Sequence, residues 1–130
     1  MYRILIVEDD QTITSAIQKR LNSWGIEACG IRDFKNVVSE FSQQNPHLVL
    51  MDISLPFFNG YHWCNEIRRI SKVPIIFLSS MADNMNIVMA MNMGADDFIA
   101  KPFDMEVLVA KVSALLRRTY DFAATTGIAE

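Results

Sequence analysis

Glu8 and Asp9, Asp52, the Ser79–Ser80 pair and Lys101 are the residues of this chain whose types can do chemistry together, and each stands directly after a short apolar run. Carboxylates gathered without a counter-charge repel one another, so Glu8, Asp9 and Asp52 brought to one place call for a cation. A hard, oxygen-seeking ion suits them. Mg2+, or Mn2+ in its stead, keeps several waters and needs only one or two carboxylates plus phosphate oxygens. A carboxylate can also accept a phosphoryl group. On that reading the ion neutralises incoming charge, while the Lys101 ammonium and the Ser79 hydroxyl hold the remaining phosphoryl oxygens. Taken singly, the Glu8–Asp9 pair is a solvated loop or helix cap, Asp52 a turn residue, and Ser79 and Lys101 surface side chains. Their joint placement at four strand ends carries the reading.

The elements that must position them are five apolar, β-branched runs alternating with helical-period stretches, the pattern of an α/β protein with a parallel sheet covered on both faces. The strands are predicted over 3–7, 26–30, 47–51, 75–78 and 98–100. The first helix carries Ile13, Ala16, Ile17, Leu21 and Trp24 and is stopped by Gly25. The second has Asp33 as its candidate cap, Phe34, Val37, Val38 and Phe41 as its buried stripe, and Asn45–Pro46 as its end. After the loop 52–60, with its turn formers Pro56, Asn59 and Gly60, come helices over about 61–70 and 84–93. The last helix is capped by Asp104 and striped by Met105, Leu108, Val109, Val112, Leu115 and Leu116. Past Arg118 the pattern dissolves. In a doubly wound five-stranded parallel sheet of flavodoxin-like (βα)5 type, order 2-1-3-4-5, ligands bind outside the carboxyl ends of the strands. The named residues follow the first, third, fourth and fifth strands there.

Composition narrows the function further. With 51% hydrophobic and 21% charged residues the 130-residue chain can bury one core. A net charge of −3 gives no general attraction to a nucleic-acid backbone. The run Ile4–Val7 is too short to span a bilayer or form a signal-peptide core, so a cytoplasmic protein with no membrane partner is expected. Cys29 and Cys64 have neither metal nor redox spacing and read as reduced, packed thiols. Met89, Met91 and Met93 offer soft ligands for copper(I), but residues two apart do not share a helix face. His47 and His62 receive no role.

The runs ILIVEDD (4–10), LVLMDISLPFFNG (48–60), PIIFLSS (74–80) and GADDFIAKPF (94–103) resemble the receiver domains of two-component response regulators over nearly the whole chain. That resemblance implies a phosphoaspartate switch rather than an enzyme acting on external substrates. Asp52 is then the phosphoacceptor, Asp9 a direct metal ligand, Glu8 a ligand acting mainly through water, and the main-chain carbonyl of Ser54 a further ligand. Ser79 swings toward the phosphoryl group, Lys101 pairs with it, and the bond before Pro102 is cis, an X-Pro bond being the one inexpensive place for that geometry. The family departures are Ser79 where Thr is common, Ser80 where Ala is common, and Phe98 as a rotating aromatic without a phenolic hydroxyl.

Similarity to the OmpR/PhoB subfamily implies a homodimer on phosphorylation, built on the fourth helix, fifth strand and fifth helix. The fourth helix carries Met85, Ile87, Val88, Met89, Met91 and Met93, apolar around most of its circumference. Asp97 with Lys111 and Asp96 with Arg118 are the implied cross-dimer ion pairs, and a third pair falls on apolar Ile87 and Val107; Met91 and Ala110 complete the face. The implied partners are a sensor histidine kinase and a winged-helix DNA-binding effector attached after about Arg118. Residues 1–120 thus read as the receiver and 121–130 as a linker or tail, with the effector absent. SLPFFNGYHW and the Met-rich helix most resemble regulators of cell-envelope and antimicrobial-peptide stress. The alternatives are a stand-alone receiver adaptor and a Mg2+-dependent phosphohydrolase using Asp52 as nucleophile, the second lacking a general acid beside it.

Overall fold

Each apolar run closes as a parallel strand, and the three central ones are covered from both sides while the two edge strands are partly exposed. In the computed structural model, which describes residues 1–81 and 83–121, the strands are β1 (Arg3–Val7), β2 (Glu27–Gly30), β3 (Leu48–Asp52), β4 (Ile75–Ser79) and β5 (Asp97–Ala100). Between and after them lie α1 (Gln11–Ser23), α2 (Val37–Gln44), α3 (Gly60–Arg68), α4 (Asn84–Asn92) and α5 (Met105–Leu116). All pairings are parallel and the sheet order is 2-1-3-4-5, the flavodoxin-like arrangement expected.

Alternation along the strands divides the core into two layers. Leu5, Val7, Val49, Met51, Ile75 and Phe77 meet Val37, Phe41, Trp63 and Ile67 on one face. Ile4, Ile6, Leu48, Leu50, Ile76 and Leu78 meet Ile17, Leu21, Leu108 and Val112 on the other. Each such fully buried aliphatic or aromatic side chain contributes about 1.5–3 kcal/mol of transfer free energy. Charge is therefore confined to the strand ends, and the register decides which charges meet. Val7 pairs with Met51, Asp52 with Leu78 and Ser79 with Ala100, so Glu8, Asp52, Ser79 and Lys101 follow one another along one edge of the sheet.

Four local expectations need correction. Asp33 does not cap α2: its carboxylate accepts from Lys35 N at 2.9 Å and Asn36 Nδ2 at 2.7 Å, closing a separate turn. The helix begins at Val37, leaving Phe34 outside it though still packed on the core. His47 and Ile26 stand just before their strands; the His47 imidazole instead accepts Arg3 N–H through Nδ1 at 3.0 Å. The chain does not lose its pattern at Arg118. A π-helical turn, Arg117–Asp121, continues α5, and the Tyr120 hydroxyl donates to the His47 carbonyl at 2.7 Å. The tail reading beyond it, 122–130, lies outside the described residues.

In the loop after β3 the chain turns through Phe57 at φ +70°, an exposed aromatic whose ring lies 4.8 Å from Lys35 Nζ, and not through a glycine. Gly60 closes the loop by donating to the Ile53 carbonyl at 2.8 Å. A methyl group on Gly60 would stand 2.1 Å from the Asp52 carbonyl oxygen, so only glycine lets α3 start against the strand end. Gly60→Ala should cost about 1–3 kcal/mol of stability, toward the upper end because the clash is with backbone. Urea unfolding checks this, and a loss under about 0.5 kcal/mol, the usual surface effect, would contradict it.

Candidate functional site

Parallel β1 and β3 end side by side, and Glu8, just after β1, and Asp52, the last residue of β3, bring a carboxylate pair to the rim. One carboxylate oxygen from each of Glu8, Asp9 and Asp52 lies within 4.8 Å of the others. Glu8 and Asp52 are 1% and 5% exposed, whereas Asp9 opens to solvent. The third acid of the run is spoken for: the Asp10 carboxylate caps α1, accepting from Thr12 N at 2.9 Å and Ile13 N at 3.3 Å. Thr14, buried on α1, donates its hydroxyl to the Glu8 carbonyl at 3.1 Å and so anchors the acidic turn to the helix. Sequence periodicity marked neither role, although an acidic residue just before a helical stretch is the usual signal for a cap.

Lys101, the residue after β5, answers this charge. Its Nζ is 3.3 Å from Asp52 Oδ2 and makes a closer ion pair with Glu8 Oε1. Burial works against the ammonium, but Glu8 and Asp52 outweigh it and hold the Lys101 pKa above its ordinary value. Desolvation pushes the Glu8 carboxyl up despite the bond from Lys101, with the Asp52 charge adding to the rise. Burial likewise raises Asp9, assisted by its neighbour Glu8. One ammonium among three acids leaves net negative charge under partial burial. The three carboxylate oxygens stand close enough that small side-chain rotations would let them hold a divalent ion between them. The donors are all hard oxygens, which fits Mg2+ or Mn2+ and not a soft ion.

Ser79 is 1% exposed at the end of β4, and its Oγ accepts from Met81 N at 3.0 Å. Ser80 is exposed. Ser54 lies on the rim after Asp52 and donates its hydroxyl to Met81 Sδ at 3.7 Å. Phe98 is half-buried and packs against the core layer that contains Phe77, Trp63 and Ile67. The Lys101–Pro102 bond is cis. On the face made by α4, β5 and α5, Val88, Met91 and Val107 are 57%, 45% and 46% exposed; Ala110 and Arg118 are exposed and Ile87 half-buried. Within the one chain the same acids have partners of their own. Lys111 pairs with Asp97 at 3.2 Å, and Asp96 pairs with Arg68 at 3.1 Å. Asp96 also accepts from Ile75 N at 2.9 Å, because the α4–β5 turn folds back over the start of β4.

The profile of the response regulator receiver domain matches residues 4–113. The chain belongs to that family. Receiver domains are phosphorylation-dependent signalling switches. This one is 48% identical over 124 residues to the sensory transduction protein BceR of Halalkalibacterium halodurans, covering 95% of the chain and 54% of the relative. It is 46% identical over 122 residues to the response regulator protein GraR of Staphylococcus haemolyticus, covering 94% of the chain and 54% of the relative. The chain thus spans about half the length of these curated relatives. Among solved structures, the N-terminal domain of NsrR, a lantibiotic response regulator and nisin resistance regulator, superposes with a TM-score of 0.83 at 48% identity over 90% of this chain and 99% of that one. Among the described residues of this receiver no helix is long and apolar enough to cross a membrane.

The raised Glu8 and Asp9 pKa values carry a signed consequence. A carboxyl raised in the folded state favours folding when protonated, so its contribution is present below about pH 4 and lost as pH climbs through the raised value. In metal-free buffer the Glu8→Gln/Asp9→Asn receiver should therefore gain stability relative to wild type as pH rises from about 4 to 7. Saturating Mg2+, at about a hundred times its Kd, should stabilise wild type by about 2.7 kcal/mol and the double variant hardly at all. Parallel urea melts with chelator and with Mg2+ read both effects, and a variant that loses ground as pH rises would refute the charge assignment.

Proposed function

We propose that Asp52 accepts a phosphoryl group from a sensor histidine kinase, and that the receiver thereby changes its self-association and controls an attached effector. The observation that carries this is the convergence of Glu8, Asp9 and Asp52 within 4.8 Å, with Asp52 directly beneath the Lys101 ammonium. In the transfer an Asp52 oxygen attacks the phosphorus of phosphohistidine, a phosphorus–oxygen bond forms, and the phosphorus–nitrogen bond leaves its electron pair on imidazole. Asp9, Asp52 and the Ser54 main-chain carbonyl would hold Mg2+ or Mn2+, with Glu8 acting through water. The ion, when bound, supplies charge neutralisation at the phosphoryl oxygens.

Lys101 then exchanges its Glu8 and Asp52 partners for a phosphoryl oxygen, and Ser79 gives up its acceptance from Met81 N to donate to another. Nearly two added negative charges drive that rearrangement. Movement of Ser79 draws the loop after β4 inward and lets the half-buried Phe98 turn into the space. The homodimer forms through α4, β5 and α5, where exposed Val88, Met91 and Val107, with Ile87 and Ala110, supply an apolar contact. Asp97 with Lys111 and Asp96 with Arg118 re-form between partners at the cost of the in-chain Asp97–Lys111 and Asp96–Arg68 pairs.

In this reading residues 1–120 are an OmpR/PhoB-type receiver, 121–130 begin a linker, and a winged-helix domain outside this chain contacts DNA in the cytoplasm. The lantibiotic and nisin-resistance description of NsrR, at 48% identity, supports peptide-antibiotic stress as the signal class. Acetyl phosphate with Mg2+ should add one phosphoryl group per wild-type chain and none to Asp52→Ala, read by intact mass. Size-exclusion chromatography with light scattering should show the labelled chain shifting toward dimer. Many turnovers on a metabolite without stable labelling would point to a hydrolase, and labelling of Asp52→Ala would displace Asp52 from its role.

A further inference from the structure

The residue that follows Gly60 is a buried tyrosine. Tyr61 is 8% exposed, and its ring lies 5.6 Å from Phe77 at an interplanar angle of 58°. Phe77 is in turn the register partner of Phe98 on the neighbouring strand, so three aromatic rings run from the Asp52 loop toward the output face. The Tyr61 hydroxyl does not stop in this core. It donates to Asn86 in the first turn of α4, with Oδ1 at 2.8 Å and the main-chain carbonyl at 3.3 Å. Asn86 is itself held by the cap of that helix: its N and Nδ2 donate to Asp83 Oδ1 at 2.8 and 3.0 Å. Burial first, and the Asp83 charge second, push the phenol pKa up, so it stays a protonated donor at neutral pH.

α4 is lightly seated. Ala90 is its one buried residue, while Met85 is 81% exposed. A partly buried hydrogen bond from α3 is then a large share of what fixes its N-terminal turn. Phe98 has no hydroxyl to offer, and Tyr61 is the phenol that reaches α4. It is also joined by one peptide bond to Gly60, the residue packed on the Asp52 carbonyl. The element that must move on activation and the strand end that is modified are thus linked by side chains with a single hydrogen bond at the end of the chain.

We propose that Tyr61 is a positioning residue whose bond to Asn86 holds α4 in its resting placement and so couples the Asp52 loop to the output face. The inference rests on the phosphoacceptor reading above. If the bond favours the resting state, removing it shifts the population toward the active one, and by reciprocity tightens whatever ligand selects that state.

Beryllofluoride with Mg2+ mimics the phosphoryl group and can be titrated by intrinsic fluorescence on wild type, Tyr61→Phe, Asn86→Ala and the double variant. One net hydrogen bond corresponds to about a fivefold effect. Tyr61→Phe should therefore tighten the apparent beryllofluoride affinity about fivefold. Asn86→Ala should tighten it in the same direction, and the double variant should gain little more than the larger single effect. Mg2+ affinity measured without beryllofluoride should stay as in wild type. A merely structural tyrosine would leave affinity unchanged or weaken it, and either result overturns the proposal. Absence of beryllofluoride binding by wild type would instead sink the phosphoacceptor reading and take this one with it.

Discussion

Repulsion among carboxylates at one rim of the sheet is the constraint around which this molecule is arranged. The two core layers hold no charged residue from β1 or β3, so the acids at and just past the strand ends emerge together where the strands stop. Glu8 and Asp52 are almost wholly removed from water. Such charges persist only when paired or coordinated. Lys101 provides the pairing in this structure, reaching Asp52 Oδ2 at 3.3 Å and Glu8 more closely, yet it cannot neutralise both acids and Asp9 as well. The surplus makes the rim receptive to a divalent cation. The supporting parts serve that end: Asp10 caps α1, Thr14 pins the Glu8 turn, and Gly60 lets α3 begin hard against the Asp52 carbonyl.

Much of this was legible in the residue order. Alternation of β-branched runs with helical stretches identified five strands and five helices because each element has its own local period. The acidic cluster was legible for a related reason: in a parallel doubly wound sheet every strand ends at the same rim, so residues distant in sequence can be assigned to one place. What escaped was decided by partners with no period. Asp33 looks like a helix cap, but Asn36 and Lys35 offer it a tighter local turn. Tyr120 looks like part of a featureless end until the carbonyl of His47, 73 residues away in sequence, proves to be its acceptor. Tyr61 reads as one more buried aromatic, and only the placement of α4 makes its hydroxyl significant.

The face made by α4, β5 and α5 shows the same interplay of local and distant terms. Its apolar residues were visible as a helix lacking a polar side, and the fold leaves Val88, Met89 and Met91 exposed. Its charges were not so simple. Asp97 and Lys111 satisfy each other within one chain, and Arg68 binds Asp96 while also donating to the Gly94 carbonyl at 3.0 and 2.8 Å. A partner subunit would have to compete with these contacts, and surface ion pairs of this kind are each worth no more than about 1 kcal/mol. Exchange between partners is therefore inexpensive. Burial of the apolar surface, not the charges, would supply most of the association free energy.

The location of a single bound ion tests the central claim most directly. Crystals grown with Mn2+ and measured for its anomalous scattering should show one ion bonded to carboxylate oxygens of Asp9 and Asp52, beside Lys101 and in reach of Glu8 through water. An anomalous peak elsewhere on the molecule, with the three acids still held by Lys101 alone, would contradict the account.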